Sequence, residues 1–270
     1  MDLGLAGRSC AVTGAGRGIG RATARMLCEA GAQVLLVART EDDVRDAAAE
    51  CGRAGAAVHG RAAHLALDIT EPDAAERILA DATDRFGGLD VVVNNAGAAR
   101  WRDLDDVPEE DWYAAWELNV MAPKRLIAAA APAMAERGWG RIVNVASTAG
   151  KRPTQSLGEY SVAKAAQLSL SRLYADRYAG TGVLVNAVCP GPVASEMWMA
   201  PGGLLDQSQE HGGHEDRDAA LAATGASRPI GRLAEVDEIA SAIAFLCSER
   251  ASYVLGSAWS VDGGTVQVII

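Results

Sequence analysis

The amino-acid sequence predicts a doubly wound α/β sandwich. Short β-rich runs alternate with helical stretches from end to end, a pattern that right-handed crossovers build into a layered parallel sheet. The β-rich runs are continuously apolar, as in Val91-Val92-Val93, rather than alternating. That marks strands covered on both faces. At 270 residues the chain fits one large domain or two small ones, and with no linker to set off a second, one is expected.

Seven strands are expected, at 9–13, 33–38, 64–68, 90–94, 141–145, 183–188 and 257–261. Between the first two, Ile19, Ala22, Thr23, Met26, Leu27 and Ala30 recur at helical spacing and Gly31 ends the run. Near the end, Val236, Ile239, Ala240, Ile243 and Leu246 repeat the pattern. One segment breaks the rhythm. Residues 190–230 hold Pro192, Pro201, Gly202, Gly203, Gly212, Gly213 and Pro229 among acidic and amide residues. So long a break is expected to be a substrate lid, at about 191–230, with a disordered insertion as the alternative.

Composition narrows the function. Lys and Arg number 25 against 35 Asp and Glu, a formal charge of −10. Nucleic acid and anionic membrane surfaces, which recruit basic charge, are poor partners. No apolar run approaches the roughly 18 residues of a membrane span. The start, Met1-Asp2-Leu3-Gly4, lacks a secretory signal's basic and apolar regions, so a cytoplasmic location is expected. Cys10, Cys28, Cys51, Cys189 and Cys247 are odd in number and scattered, which reads as free, buried thiols.

In an open α/β sheet, ligands bind beyond the carboxyl ends of the strands, so the residues after each strand carry the argument. After the first comes Thr13-Gly14-Ala15-Gly16-Arg17-Gly18-Ile19-Gly20, leading straight into a helix. Glycines there allow a tight turn and close approach of a phosphate to helix N–H groups; a tight turn without ligand is the alternative. After the second strand comes Arg39. An acid near this place selects a ribose 2′-hydroxyl, whereas a base accommodates a 2′-phosphate. Arg39, with Arg17 in the glycine turn, therefore points to NADP(H) over NAD(H), unless both arginines are merely solvated. After the third strand, Asp68-Ile69 either meets an adenine amino group or caps a helix. After the fourth, Asn94-Asn95-Ala96-Gly97 suits a surface lying against a cofactor, with a plain turn as the weaker alternative. After the fifth come Ser147 and, farther on, Tyr160 and Lys164 at i and i+4 on one helix face. An ammonium beside a phenol favours phenolate, which would make Tyr160 a proton donor and acceptor near neutral pH.

Taken in order, these elements make the chain resemble the short-chain dehydrogenase/reductase family over essentially its whole length, in its 3-oxoacyl-reductase-like branch. The matching residues are Thr13–Gly20, Asp68, Asn94–Gly97, Asn119, Ser147 and Tyr160/Lys164, then Pro190-Gly191 and Val261-Asp262-Gly263-Gly264. The resemblance implies a single-domain Rossmann-type sandwich whose seven-stranded parallel sheet has the order 3-2-1-4-5-6-7. It implies a catalytic set of Asn119, Ser147, Tyr160 and Lys164. Tyr160 would exchange the proton, and Lys164 would lower its pKa and hold ribose hydroxyls. Ser147 would bind the substrate oxygen, and Asn119 would hold a water. Cofactor contacts would come from Gly14, Arg17, Gly18, Ile19, Gly20, Arg39, Asp68, Ile69, Asn95, Ala96, Gly97, Pro190, Gly191 and Val193. Many members carry a Thr after the Pro-Gly pair; here Ser195 is the hydroxyl at that place. The implied activity is reversible reduction of a small-molecule carbonyl to an alcohol with NADPH, in a homotetramer or homodimer. A 3-oxoacyl thioester is one possible substrate, docked through Arg125, Arg137 and Arg172. The alternatives are an NAD-dependent alcohol dehydrogenase and a nucleotide-binding regulatory protein without turnover.

Three other features are weighed. His211-Gly212-Gly213-His214, between Glu210 and Glu215, lacks the further ligands and fixed geometry of a metal site, so no metal is expected. Trp101 and Trp198, the latter between Met197 and Met199, either wall an apolar pocket or pack under a loop. Lys151 and Arg152 either face an anionic substrate group or solvent.

Overall fold

A computed structural model describes residues 2–267. The strands are β1 (Ser9–Thr13), β2 (Gln33–Ala38), β3 (Arg61–Ala66), β4 (Val91–Asn94), β5 (Gly140–Val145), β6 (Val183–Pro190) and β7 (Ala258–Val261). They form one parallel sheet in the order β3-β2-β1-β4-β5-β6-β7, as expected. The third strand lies upstream of its expected place, 64–68. Its register against β2 runs from Gln33↔Arg61 to Ala38↔Ala66, so Leu67 and Asp68 fall beyond the strand, at the cleft.

Among the described residues, ten α-helices cover the sheet or its carboxyl edge: α1 (Gly18–Glu29), α2 (Glu41–Gly55), α3 (Ala74–Phe86), α4 (Glu109–Trp116), α5 (Ala122–Glu136), α6 (Gly158–Tyr178), α7 (Glu196–Met199), α8 (Leu204–Gly212), α9 (Arg217–Ala226) and α10 (Val236–Cys247). Alternate strand residues point to opposite faces, and each face has its own core. Val12, Val34, Leu36, Val93 and Val143 pack with Leu27, Val44, Ile239 and Ile243 on the α1, α2 and α10 side. Ala11, Leu35, Val37, Val92 and Ile142 pack with Ile78, Leu126, Ile127 and Met134 on the α3 and α5 side. This double coverage is why the strands read as continuous apolar runs.

The segment 190–230 carries α7, α8 and α9. Leu204, Leu205 and Ala220 are buried there. Its base is fixed by a bridge between Val193 and Ala234. Trp101 N donates to Gln207 Oε1 (2.7 Å) and Gln207 Nε2 to the Gly202 carbonyl (2.7 Å), which ties α8 to the loop after β4.

Candidate active site

The carboxyl ends of the strands open into a cleft of about 1430 Å³. Its floor begins with the glycine turn. Gly14 (φ +65°) and Gly18 (φ +55°) adopt left-handed backbone conformations that glycine tolerates without strain. A Cβ on Gly14 would stand 2.8 Å from the Ala96 Cα, so the turn and the β4 end are in close contact. Asn95 seals this junction: its Nδ2 donates to the carbonyls of Thr13 (2.9 Å) and Gly14 (3.2 Å). The Thr13 hydroxyl in turn accepts from the backbone N–H groups of Asn95 (3.0 Å) and Ala96 (3.1 Å). The Asn95 amide is thus spent on the protein, although the residue lines the cleft.

Of the residues singled out by sequence, Gly14, Arg17, Gly18, Ile19, Arg39, Asp68, Ile69, Asn95, Ala96, Gly97, Ser147, Tyr160, Lys164, Pro190, Gly191, Val193 and Ser195 line this single cleft. Gly20 and Asn119 do not. Gly20 is buried under the turn, where a Cβ would run into the Gly14 carbonyl and the Asn95 amide; its smallness serves packing. Asn119 is fully buried in a π-helical stretch, Glu117–Met121, between α4 and α5. Its Nδ2 donates to the Ala115 carbonyl (2.9 Å), while its Oδ1 is buried without a partner.

Two charged residues flank the cleft beyond β2 and β3. Arg39 is largely exposed, with Nη1 3.9 Å from Asp68 Oδ2. Burial alone would raise the Asp68 carboxyl, but hydrogen bonds from the Thr70 N–H (2.9 Å) and hydroxyl (2.7 Å), with the Arg39 charge, hold it below its ordinary range. Asp68 therefore closes a local turn; the N-cap of α3 is Asp73.

The Ser147–Tyr160–Lys164 group sits where β5 meets α6. Ser147 is held at the strand end as its Oγ accepts from the Ala149 N–H (3.1 Å). Lys164 lies one helical turn beyond Tyr160, its Nζ 5.6 Å from the phenol ring centre. That amine is buried and donates to the Val145 carbonyl (2.7 Å) and to Gln167 Oε1 (3.0 Å). Burial pulls the Lys164 pKa down to about 7. Burial also pushes the Tyr160 phenol up to about 12, against the pull of the neighbouring Ser147 hydroxyl. The expected lowering of Tyr160 by an ammonium thus gives way to desolvation: one apolar site disfavours both the phenolate and the ammonium.

Sequence reasoning missed Gln167. It is fully buried and begins a polar chain beneath the site. Its carbonyl accepts from Ser171 Oγ (2.8 Å), Ser171 Oγ accepts from Asn144 Nδ2 (2.7 Å), and Asn144 Oδ1 accepts from Asn94 Nδ2 (2.8 Å). A signal was present, since Lys164, Gln167 and Ser171 recur at helical spacing, but polar residues so spaced ordinarily face water. Trp101, Met197 and Trp198 wall the cleft, whereas Met199 does not line it. Trp259 stacks on Phe245 (5.5 Å between ring centres), both partly buried against the core.

The sheet order and the glycine turn under a strand-end cleft define a dinucleotide-binding α/β domain. Comparison with known proteins narrows that class. The family model described as Enoyl-(Acyl carrier protein) reductase matches residues 14–266. The 3-oxoacyl-[acyl-carrier-protein] reductase of Vibrio cholerae is 36% identical over 98% of this chain and 100% of its own. Cis-4-hydroxycyclohexanecarboxylate dehydrogenase of Sinomonas cyclohexanicum is 37% identical over 99% of this chain and 100% of its own. The L-sorbose reductase of Gluconobacter frateurii, solved with NADPH and L-sorbose, superposes with a TM-score of 0.90 at 32% identity, covering 100% of both chains. The chain belongs to the short-chain dehydrogenase/reductase family and is an oxidoreductase of that family.

Proposed function

We propose that the protein reduces a small-molecule ketone to a secondary alcohol with NADPH, reversibly, with Tyr160 as proton donor. The observation that carries this reading is the convergence of Ser147, Tyr160 and Lys164 on the same cleft as the glycine turn. The residues fit a dinucleotide: Gly14 and Gly18 hold the left-handed turn that leads into α1 at the cleft, Arg17 and Arg39 stand ready for a 2′-phosphate, and Val193 and Ser195 lie beyond the β6 end. When bound, the nicotinamide supplies the hydride. Ser147 donates to the substrate oxygen and stabilises its developing charge. Tyr160, kept protonated by burial, delivers the proton to that oxygen. Lys164, with two hydrogen bonds to the protein and three N–H donors when charged, has a donor left for a hydroxyl at the cleft. Asn119, through its unpartnered Oδ1, would hold a water near Lys164. The segment 191–230 serves as the lid.

Among substrates, a 3-oxoacyl thioester on an acidic carrier is the weaker option. The surface cations that would dock the carrier are already engaged: Arg125 with Glu117, Arg137 with Asp90 and Arg172 with Asp176. A homo-oligomer is supported by Tyr113, Trp116, Val162 and Leu173, exposed on α4 and α6. No helix among the described residues is long and apolar enough to cross a membrane, and the five cysteines are free and buried, which suits a cytoplasmic setting. The test follows consumption of NADPH and NADH with a panel of ketones. Turnover that favours NADPH supports the reading. Consumption of NADH alone overturns the cofactor assignment, and tight NADPH binding with no ketone turned over overturns the reaction.

A further inference from the structure

Three of the four arginines that line the cleft have no carboxylate partner among the described residues: Arg17, which belongs to the glycine turn, and Arg152 and Arg228, which lie outside it. Arg152 follows Ser147 on the β5–α6 connection and is exposed at the rim. Arg228 follows α9 at the far end of the lid and is half-buried, its Nε buried without a partner. Both line the cleft that holds Ser147 and Tyr160. Burial, and then the charge of Arg152, lower the Arg228 pKa, opposed by Asp262. Asp262 makes no ion pair with it; its Oδ1 accepts from the Gly264 N–H (3.0 Å) and its Oδ2 from the Val266 N–H (2.9 Å). Lys151, the cation beside Arg152, is also engaged, donating to the Ala258 carbonyl (2.6 Å) and to Ser260 Oγ (3.0 Å).

We propose that Arg152 and Arg228 form an anion-recognition site, and that the preferred substrate is a small keto or hydroxy acid whose carboxylate they bind. This rests on the reading of the cleft as the carbonyl-reducing site. A buried guanidinium N–H with no acceptor is destabilising, and a carboxylate supplies the planar, charged acceptor that a guanidinium fits. Trp101 and Trp198, on the same cleft, face the apolar body of such an acid. The acid is held at one end by the arginines while its carbonyl meets Ser147 and Tyr160.

The test titrates the NADP-loaded enzyme with cyclohexanecarboxylate, cyclohexanecarboxamide and pantetheine 4′-phosphate, reading affinity by calorimetry without any need for turnover. The carboxylate is expected to bind at least about tenfold more tightly than its neutral isostere, the scale of a charge-assisted hydrogen bond. Arg228→Met should erase that preference and Arg152→Met should weaken it, with NADP affinity of each variant as the control for folding. Equal affinity for acid and amide overturns the proposal, as does an acid preference that survives both substitutions. Tighter binding of the phosphate than of the acid also overturns it, in favour of a carrier-linked substrate. Failure of the wild-type protein to load NADP marks a failure of the underlying functional reading instead.

Discussion

Replacing Lys164 by Met removes a buried amine whose protonation differs between the folded and unfolded states. In the fold, Lys164 is 2% exposed, its two protein acceptors are neutral, and no carboxylate offsets its burial. Its pKa falls from an ordinary 10.5 to about 7. Between those values the unfolded lysine holds a proton that the folded one has released. The unfolded state then binds more protons, and stability rises with pH by up to about 1.4 kcal/mol per unit. The contribution is fully present above 10.5 and is lost as pH falls through 7. From pH 7 to 9 this integrates to on the order of 2 kcal/mol. Tyr160, raised to about 12, titrates outside that window, since its contribution is lost only as pH rises from about 10 through 12. The assay is urea unfolding of wild type and Lys164→Met, without nucleotide, at several pH values. The stability of wild type relative to the variant should climb steadily with pH. A difference that stays flat or falls from pH 7 to 9 would refute the assignment of a desolvated, largely uncompensated amine.

Other substitutions probe the cleft piece by piece. Gly20→Ala should destabilise the fold by about 1–3 kcal/mol, because its Cβ meets the Gly14 carbonyl and the Asn95 amide; a lowered thermal midpoint without nucleotide is the readout. Arg39→Ala should raise the NADPH dissociation constant about tenfold or more and leave NADH nearly unchanged, as measured by fluorescence titration. Ser147→Ala should lower kcat by about 10²–10³ with NADPH affinity retained, as read in steady-state kinetics.

How far the sequence reaches is clearest at particular residues. The strand positions were legible because burial on both faces writes each strand as an apolar run, and the spacing of Ser147, Tyr160 and Lys164 was legible because strand, loop and helix hold it rigidly. The start of β3 was not, since Arg61, Ala62 and Ala63 are poor β-formers and only pairing with β2 places them. The helices of 190–230 were hidden by the glycines and prolines between them. Gln167 was hidden because only the tertiary fold turns that polar stripe of α6 inward. Arg228 was hidden because its partner in the cleft, Arg152, is far away in the chain. The desolvation of Tyr160 and Lys164 was hidden because spacing reports proximity but not burial.

The central claim is that Tyr160 passes the proton during carbonyl reduction. Tyr160→Phe removes one oxygen, leaves the ring in place and can be followed as single-turnover oxidation of bound NADPH by a ketone that the wild-type enzyme reduces. The account predicts a rate lower by about 10²–10⁴ with NADPH affinity unchanged. A variant that reduces the ketone at the wild-type rate would contradict it.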